Sequence, residues 1–393
     1  MTSPDAPERE RANTLLEIAS DDPDTVSTAE LVTILVHGTP PARSVAVEAY
    51  EVVVDARPNA ATSVATELHC LLDDENVRAK AAGAIAHLAE RGAAPFKKSI
   101  PSLIRMVEPP IEFGRDHAVH ALLVLSSQFP RDVESAVSPL LDILENEMDA
   151  NSGHKNGSEL ANPSFGHEEP NRETGVVRFA AAQTLLHVTR ERPAAAVNVI
   201  PQVGLLLDDP KARIRGVASE ILGAVAKEYP DHVSPHLEKL ATLLTDDPEQ
   251  PVPWKAASAL AMLVDEYPEE FADTVADDAG ELTLLLNDTN PEVRGVGVAL
   301  LTYVVEYYPN AIEPATDRLC ELLTSENPLI RANAARALRD AESVVALDTL
   351  EKVARNDPNS DVQEIANAAV RQIRHHEEDE LHGEEDSKGS AFE

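Results

Sequence analysis

A short pattern returns along this chain about every 37 residues, and a chain that repeats itself at that period cannot close around a single central core. The pattern is an arginine, usually after Val or Ile, then a run of small residues and a proline. The arginines are Arg43, Arg78, Arg115, Arg178, Arg215, Arg294 and Arg331, with Trp254 and Gln363 in the same slot of two further units. In five units a proline follows 15 residues later, at Pro58, Pro130, Pro193, Pro230 and Pro309; in the Trp254 unit it comes one residue sooner, at Pro268. No such unit can bury its apolar face alone, so each must stack on its neighbours. A length of 393 residues would otherwise suggest two or three globular domains, but a stack grows without that limit.

Each unit reads as two helices. The first ends in leucines and an acidic turn, as in ELHCLLDDEN (67–76), QVGLLLDDP (202–210), ATLLTDDP (241–248) and LTLLLNDTNP (282–291). Asp, Asn and Pro stop one helix and start the next, because their side chains cap free backbone N–H groups and proline is tolerated in a first turn. The second helix starts at the arginine slot, as in NVRAKAAGAIAHLAE (76–90). There Val77, Ala81, Ile85 and Leu88 fall on one face, and the alanines allow close approach. The unit is an antiparallel helical hairpin.

Charge narrows the partners. With 69 acidic against 33 basic residues the net charge is -36, which repels nucleic-acid phosphates and anionic membranes alike. Such an excess suits a chain adapted to concentrated salt, as in a halophilic archaeon, where a screening length of about 3 Å at 1 M removes self-repulsion. The competing reading is a basic partner. No stretch has the apolar length of a membrane helix, and the N-terminus lacks a cationic apolar signal, so a cytoplasmic location is expected. Cys70 and Cys320, in HCLL and CELL, read as buried, unbridged small apolar residues.

The combination resembles the HEAT-repeat family: proline and leucines on the first helix, an aspartate in the turn, then Val-Arg and an alanine-rich second helix, as in VSPHLEKLATLLTDDP and PEVRGVGVALLTYV. Residues 328–373 have a shorter period and resemble the HEAT-like repeats named after phycobilisome lyases. The resemblance implies an all-α fold, an α-α superhelix of about nine helical hairpins, right-handed and elongated, offering a concave surface to another macromolecule. The expected division is a capping helix in 1–26, the solenoid in 27–376 with a disordered insertion at about 148–173, and an acidic disordered tail in 377–393.

The repeated arginine, a few residues after the acidic turn, is expected to form a ladder of charge-assisted hydrogen bonds through the stack. Phe129, Tyr229, Tyr267 and Tyr308, each before a unit proline, read as packing. Departures from the repeat are where function is sought. The insertion is either a tolerated excursion or a loop that orders on a partner. Trp254 either fills the space of the missing arginine or anchors a partner.

In HEAT-like arrays the second helices line the concave side. Their positions one, two and five after the slot are Gly216, Val217, Glu220, then Lys255, Ala256, Ala259, then Gly295, Val296, Ala299. This strip is either an apolar groove for a protein or a place where units crowd. Tyr303 lies a turn further along, and Phe179, Gln183 and His187 hold related places, so Phe179, Gln183, His187, Trp254, Lys255 and Tyr303 are the candidate partner-binding residues. No catalytic, cofactor or metal residues are expected. His117 and His120, three apart, lack a third ligand, and His375, His376 and His382 belong to the tail. The His-Glu pairs that HEAT-like hydroxylases place on repeat helices occur here only as His167-Glu168 in the insertion and His376-Glu377 in the tail. The reading is a monomeric, non-enzymatic scaffold or adaptor for another protein, without cofactors. Its alternatives are a HEAT-like lyase or metal-dependent hydroxylase, or a structural assembly subunit.

Overall fold

The computed structural model describes residues 6–109, 113–152, 170–249, 251–276 and 279–389. Among the described residues every regular element is a helix. The chain divides into two compact units, Met1–Val203 and Gly204–Glu393.

The first unit carries α1 (Ala6–Asp21), α2 (Thr28–His37), α3 (Pro40–Ala56), α4 (Pro58–Leu71), α5 (Arg78–Ala89), α6 (Ile100–Val107), α7 (Arg115–Ser126), α8 (Val137–Ser152) and α9 (Pro170–Glu191), with α10 (Ile200–Leu205) at its end. The slot helices stack in order, α5 on α7 and α7 on α9, while α4, α6 and α8 pack against α5, α7 and α9 as their hairpin partners. Helix α1 lies along α3.

The second unit repeats the plan with α11 (Ala212–Ala226), α12 (Pro230–Val233), α13 (Leu237–Asp246), α14 (Val252–Leu260), α15 (Pro268–Val275), α16 (Ala279–Leu286), α17 (Pro291–Tyr307), α18 (Thr316–Leu322), α19 (Pro328–Asp340), α20 (Leu347–Asn356) and α21 (Ser360–Gly389). Here α11, α14, α17, α19 and α21 stack in succession, and α13, α16, α18 and α20 back them.

The unit proline sets the hairpin. Its ring disfavours the helical region for the preceding residue, so the slot helix must stop there. Phe129, Tyr229, Tyr267 and Tyr308 accordingly sit at φ/ψ of -129/51, -134/59, -129/52 and -130/73. Each still closes the last helical turn with its own N–H, as Phe129 does to Leu125 O and Tyr229 to Val225 O, both at 2.8 Å. Between the hairpin layers Leu122, Leu125, Leu140, Leu222, Leu240 and Leu301 are fully enclosed, and alanines such as Ala81, Ala121, Ala218 and Ala257 let the slot helices approach. Truncating one such leucine to alanine in a packed core costs about 2–5 kcal/mol.

One junction needs a special residue. Gly114, just before Arg115, takes φ 85 and ψ 7 as the N-cap of α7. A Cβ there would lie 2.8 Å from Ala79 Cβ and 2.9 Å from Ala79 Cα, so both backbone conformation and space demand glycine.

Three sequence expectations change. Helix α8 runs to Ser152 and α9 starts at Pro170, so both ends of the 148–173 stretch are helical, proline serving as a first-turn residue; residues 153–169, with His167-Glu168, lie outside the described residues. Helix α21 continues to Gly389 through residues that composition assigns to a disordered tail. Its first half is docked through Val362, Ala366, Ala369 and Ile373, and a helix already nucleated extends readily through Glu, Asp and Leu. Both cysteines are free, but Cys70 is exposed and Cys320 half-buried, because each lies on the outer side of a first helix rather than on its leucine face.

Candidate partner-binding surface

The slot arginines orient the surface. Arg215 donates Nη1 to Asp209 O at 2.8 Å, while Nε and Nη2 meet Asp247 Oδ2 and Oδ1 at 2.5 and 2.8 Å. Arg331 does the same with Ser325 O at 2.7 Å and Asp357 at 2.7 and 2.8 Å. The carbonyl belongs to the arginine's own turn and the carboxylate to the next one, so each complete rung ties two consecutive hairpins. The turn aspartate also braces its own loop: Asp247 Oδ1 accepts from Glu249 N and Asp357 Oδ1 from Asn359 N, both at 2.9 Å. The Arg331 hydrogen bond holds the Asp357 carboxyl below the usual range against the opposing effect of burial. At Asp247 burial pushes upward, but the bonds from Arg215 and Glu249 N outweigh it and the value falls. In the first unit Arg178 is fully buried on α9 and donates Nη2 to Leu144 O at 3.0 Å. Arg78 lies 3.9 Å from Glu75, and Asp73 pairs instead with Arg105 at 3.4 Å.

Of the candidate residues, Phe179, Gln183 and His187 lie half-buried on α9 in the first unit. The Ser126 hydroxyl of α7 donates to Leu123 O at 2.8 Å, which leaves it to accept from His187 Nδ1, also at 2.8 Å. Burial, then the nearby Arg190 charge, pushes His187 below the usual histidine value, so the ring is a neutral brace between α7 and α9 at neutral pH.

Trp254, Lys255 and Tyr303 belong to the second unit. Trp254 is half-buried in the arginine slot, and its Nε1 is enclosed with no hydrogen-bond partner. Lys255 lies across α11: a Cβ on Gly216 would meet its Cδ at 2.9 Å, and its Nζ pairs with Glu220 at 2.6 Å. Glycine at 216 is thus the bed for the lysine stem. Tyr303 donates its hydroxyl to Asp265 Oδ1, and this bond, helped by burial, pushes the phenol up to about 12. The supposed groove strip resolves by position. Gly216, Val217, Ala256 and Ala259 are buried where α11 and α14 crowd, while the ion-paired Glu220 and Lys255 and the small Gly295, Val296 and Ala299 stay half-exposed.

Sequence reasoning missed the tyrosine–carboxylate bonds that tie the end of a slot helix to the short helix begun by the preceding unit proline. Tyr267 Oη donates to Asp231 at 2.5 Å and Tyr308 Oη to Asp273 at 2.6 Å. Beside them Glu266, Tyr267, Glu269, Glu270, Asp273 and Tyr307 line an open cleft, with Tyr307 39% exposed. The signal was available: each tyrosine and its aspartate are separated by one repeat length. Among the described residues no group of three or more His, Cys, Asp or Glu is placed to hold a metal ion, and no helix is long and apolar enough to cross a membrane.

Stacked helical hairpins with arginine rungs define an α-solenoid class of protein, and known proteins agree on the fold. Residues 280–371 match the HEAT-repeat family. Among solved structures, an engineered protein is similar at 20% identity, over 95% of this chain and 97% of that one, with a TM-score of 0.65. A chain from a study of a phosphorylation switch controlling the interaction between cadherin and beta-catenin is similar at 16% identity, over 88% of this chain and 69% of that one, with a TM-score of 0.63. At these identities the likeness is one of fold. No curated protein matches the chain.

Proposed function

We propose that the chain is a non-enzymatic scaffold or adaptor that docks a basic segment of a partner protein in the acidic cleft between α15 and the end of α17. The observation that carries this reading is the cleft of Glu266, Glu269, Glu270 and Asp273 flanked by the rings of Tyr267 and Tyr307. Carboxylates and tyrosine faces together receive guanidinium and ammonium groups, by charge-assisted hydrogen bonds and by cation–π attraction. In concentrated salt, with a screening length of about 3 Å at 1 M, long-range steering is lost and direct contacts of this kind carry recognition. Repeat folds of this class commonly serve as protein-binding scaffolds, which supports the same reading. The partner is a protein rather than nucleic acid or membrane, both repelled by a net charge of -36.

The test places a photo-crosslinking phenylalanine derivative at position 307 of the full chain and irradiates it in source-cell extract at multimolar KCl. A crosslink to a Lys/Arg-rich segment of one protein, lost when Glu269 and Glu270 are both changed to Lys, is the expected result. Crosslinks that survive the charge reversal, or that fall on acidic segments, refute the proposal.

A further inference from the structure

In the second unit the ladder has an arginine whose carboxylate is missing from the next turn. Arg294 donates Nη1 to Asp288 O at 2.8 Å and Thr289 O at 2.9 Å. Arg331 makes the same two bonds, to Ser325 O at 2.7 Å and Glu326 O at 3.1 Å. Identical anchoring of Nη1 fixes the guanidinium in the same attitude, so the Nε/Nη2 edge of Arg294 is offered to the next hairpin just as that of Arg331 is offered to Asp357. In the next hairpin the turn residue six before the slot is Ser325, where the corresponding residues of other turns are Asp209, Asp288 and Asp357. The Ser325 hydroxyl keeps the loop-bracing part of the aspartate's work, accepting from Asn327 N at 3.3 Å. It cannot supply the charge, and Arg294 forms no ion pair among the described residues.

We infer that Ser325 is a phosphorylation site whose phosphoryl group completes the rung to Arg294, an inference independent of the docking reading above. Ser325 is half-buried and stands in an exposed turn, between Thr324 and Glu326, that a modifying enzyme can reach. In the reaction Ser325 Oγ attacks the γ-phosphorus of a nucleoside triphosphate held by a protein kinase. The Oγ–P bond forms as the bond to the bridging oxygen breaks, the nucleoside diphosphate leaves, and the serine proton passes to the kinase's base. The product carries about -1.5 to -2 charges at pH 7 and three acceptor oxygens. Those oxygens lie one bond further from Cβ than an aspartate's, toward the Nε/Nη2 edge, and α19 begins at Pro328 with its N-terminal N–H groups close by. Asp288, Glu292 and Glu326 on the adjoining turns oppose the added charge. Salt weakens that repulsion more than it weakens a direct bidentate contact. Modification would convert the α17–α19 junction from an unclamped contact to one held like that of α19 with α21.

The test installs phosphoserine at position 325 of the full chain during synthesis, in the native and the Arg294→Gln backgrounds, and follows backbone hydrogen exchange across α17–α19. Phosphoserine is expected to slow exchange there roughly tenfold with Arg294 present and less than about twofold with Arg294→Gln. Ser325→Asp should give part of the effect, since it restores the aspartate of the sister rungs. Equal slowing in both backgrounds, or none, overturns the proposal. A third arm adds inorganic phosphate to the unmodified chain at constant ionic strength; slowing that matches the covalent group would assign the slot to a free anion instead. Fragmentation mass spectrometry of the chain from its own cells, purified with phosphatase inhibitors, should place a phosphoryl group on Ser325. An unmodified Ser325, or a phosphate on Thr324 alone, overturns it equally.

Discussion

Changing Asp357 to asparagine isolates what a ladder rung contributes. The side chains of Arg331 and Asp357 are 8% and 4% exposed, so the pair is shielded from water. Asparagine keeps the size of the residue and can still accept from Asn359 N, but it leaves the Arg331 guanidinium buried without a counter-charge. Removing one partner of such a pair costs about 3–5 kcal/mol, whereas replacing both with uncharged groups is often nearly neutral. In a stack stabilised by nearest-neighbour contacts the loss falls on the hairpin beyond the rung, α20 with α21, and not on the whole unit. At about 1.4 kcal/mol per tenfold, hydrogen exchange in residues 347–373 should quicken by roughly a hundredfold or more. Peptides from α11 and α13 should be unchanged. Adding Arg331→Leu to Asp357→Asn should recover much of the protection, because the stranded charge is gone. Unchanged exchange in 347–373, an equal rise in α11, or a double variant worse than the sum of the single ones would refute the assignment of the rung as a local clamp.

Acid should weaken the fold in two stages. His187 and His236 sit below the usual histidine value, chiefly through burial, so the unfolded chain binds more protons and stability declines as pH falls below about 6.5. Asp247 and Asp357 are depressed carboxyls, whose contribution is full above about pH 3.9 and is lost as pH falls through their lower folded values; urea midpoints measured from pH 7 to pH 3 at fixed salt should show both declines. Gly114→Ala should destabilise by at least about 1–2 kcal/mol, from the left-handed backbone conformation alone, before the Ala79 clash is counted, and a thermal melt of the variant reads this directly. Cys70 should react first with a thiol reagent under native conditions, because it is exposed while burial and the Asp317 charge raise the Cys320 thiol; equal rates would contradict the packing.

The slot, the proline and the acidic turn were legible because each is a backbone requirement repeated in every unit. Phe129, Tyr229, Tyr267 and Tyr308 show this, since one pre-proline conformation recurs wherever the pair does. The ladder was legible as a residue type but not as a connection: spacing within a turn pairs Asp73 with Arg78, whereas the bonds run from one hairpin to the next, as from Arg215 to Asp247. Surface character was least legible. The Gly216, Val217, Ala256 and Ala259 positions look like a groove in sequence because a helix wheel records which way a residue faces, not how near the next helix lies. Lys255 lying on Gly216 is what closes that space. The cysteines misled for the opposite reason: Leu68, Leu72, Leu319, Leu322 and Leu323 around them are buried, but a step of one or two residues around a helix turns a side chain outward.

In the second unit the two irregular rungs lie on either side of one hairpin, α16 with α17. Before it the arginine is replaced by Trp254, so Asp288 has no guanidinium offered from that slot; after it the aspartate is replaced by Ser325, so Arg294 has no carboxylate. What joins α17 to the preceding hairpin instead is the hydroxyl of Tyr303 on Asp265, while that of Tyr308 holds Asp273 of α15. These are single hydrogen bonds at the surface, where a bidentate buried pair stands elsewhere, and a surface contact contributes far less than breaking a buried pair costs. The same hairpin bears Tyr307 at the acidic cleft and the half-exposed Gly295, Val296 and Ala299. A docking surface that must adapt to its partner gains from sitting where the stack is held most lightly, because the elements that move on binding are drawn from the low-stability end of a structure. The loss of charged rungs on both sides of α16–α17 and the exposure of its tyrosines are, on this argument, two sides of one arrangement.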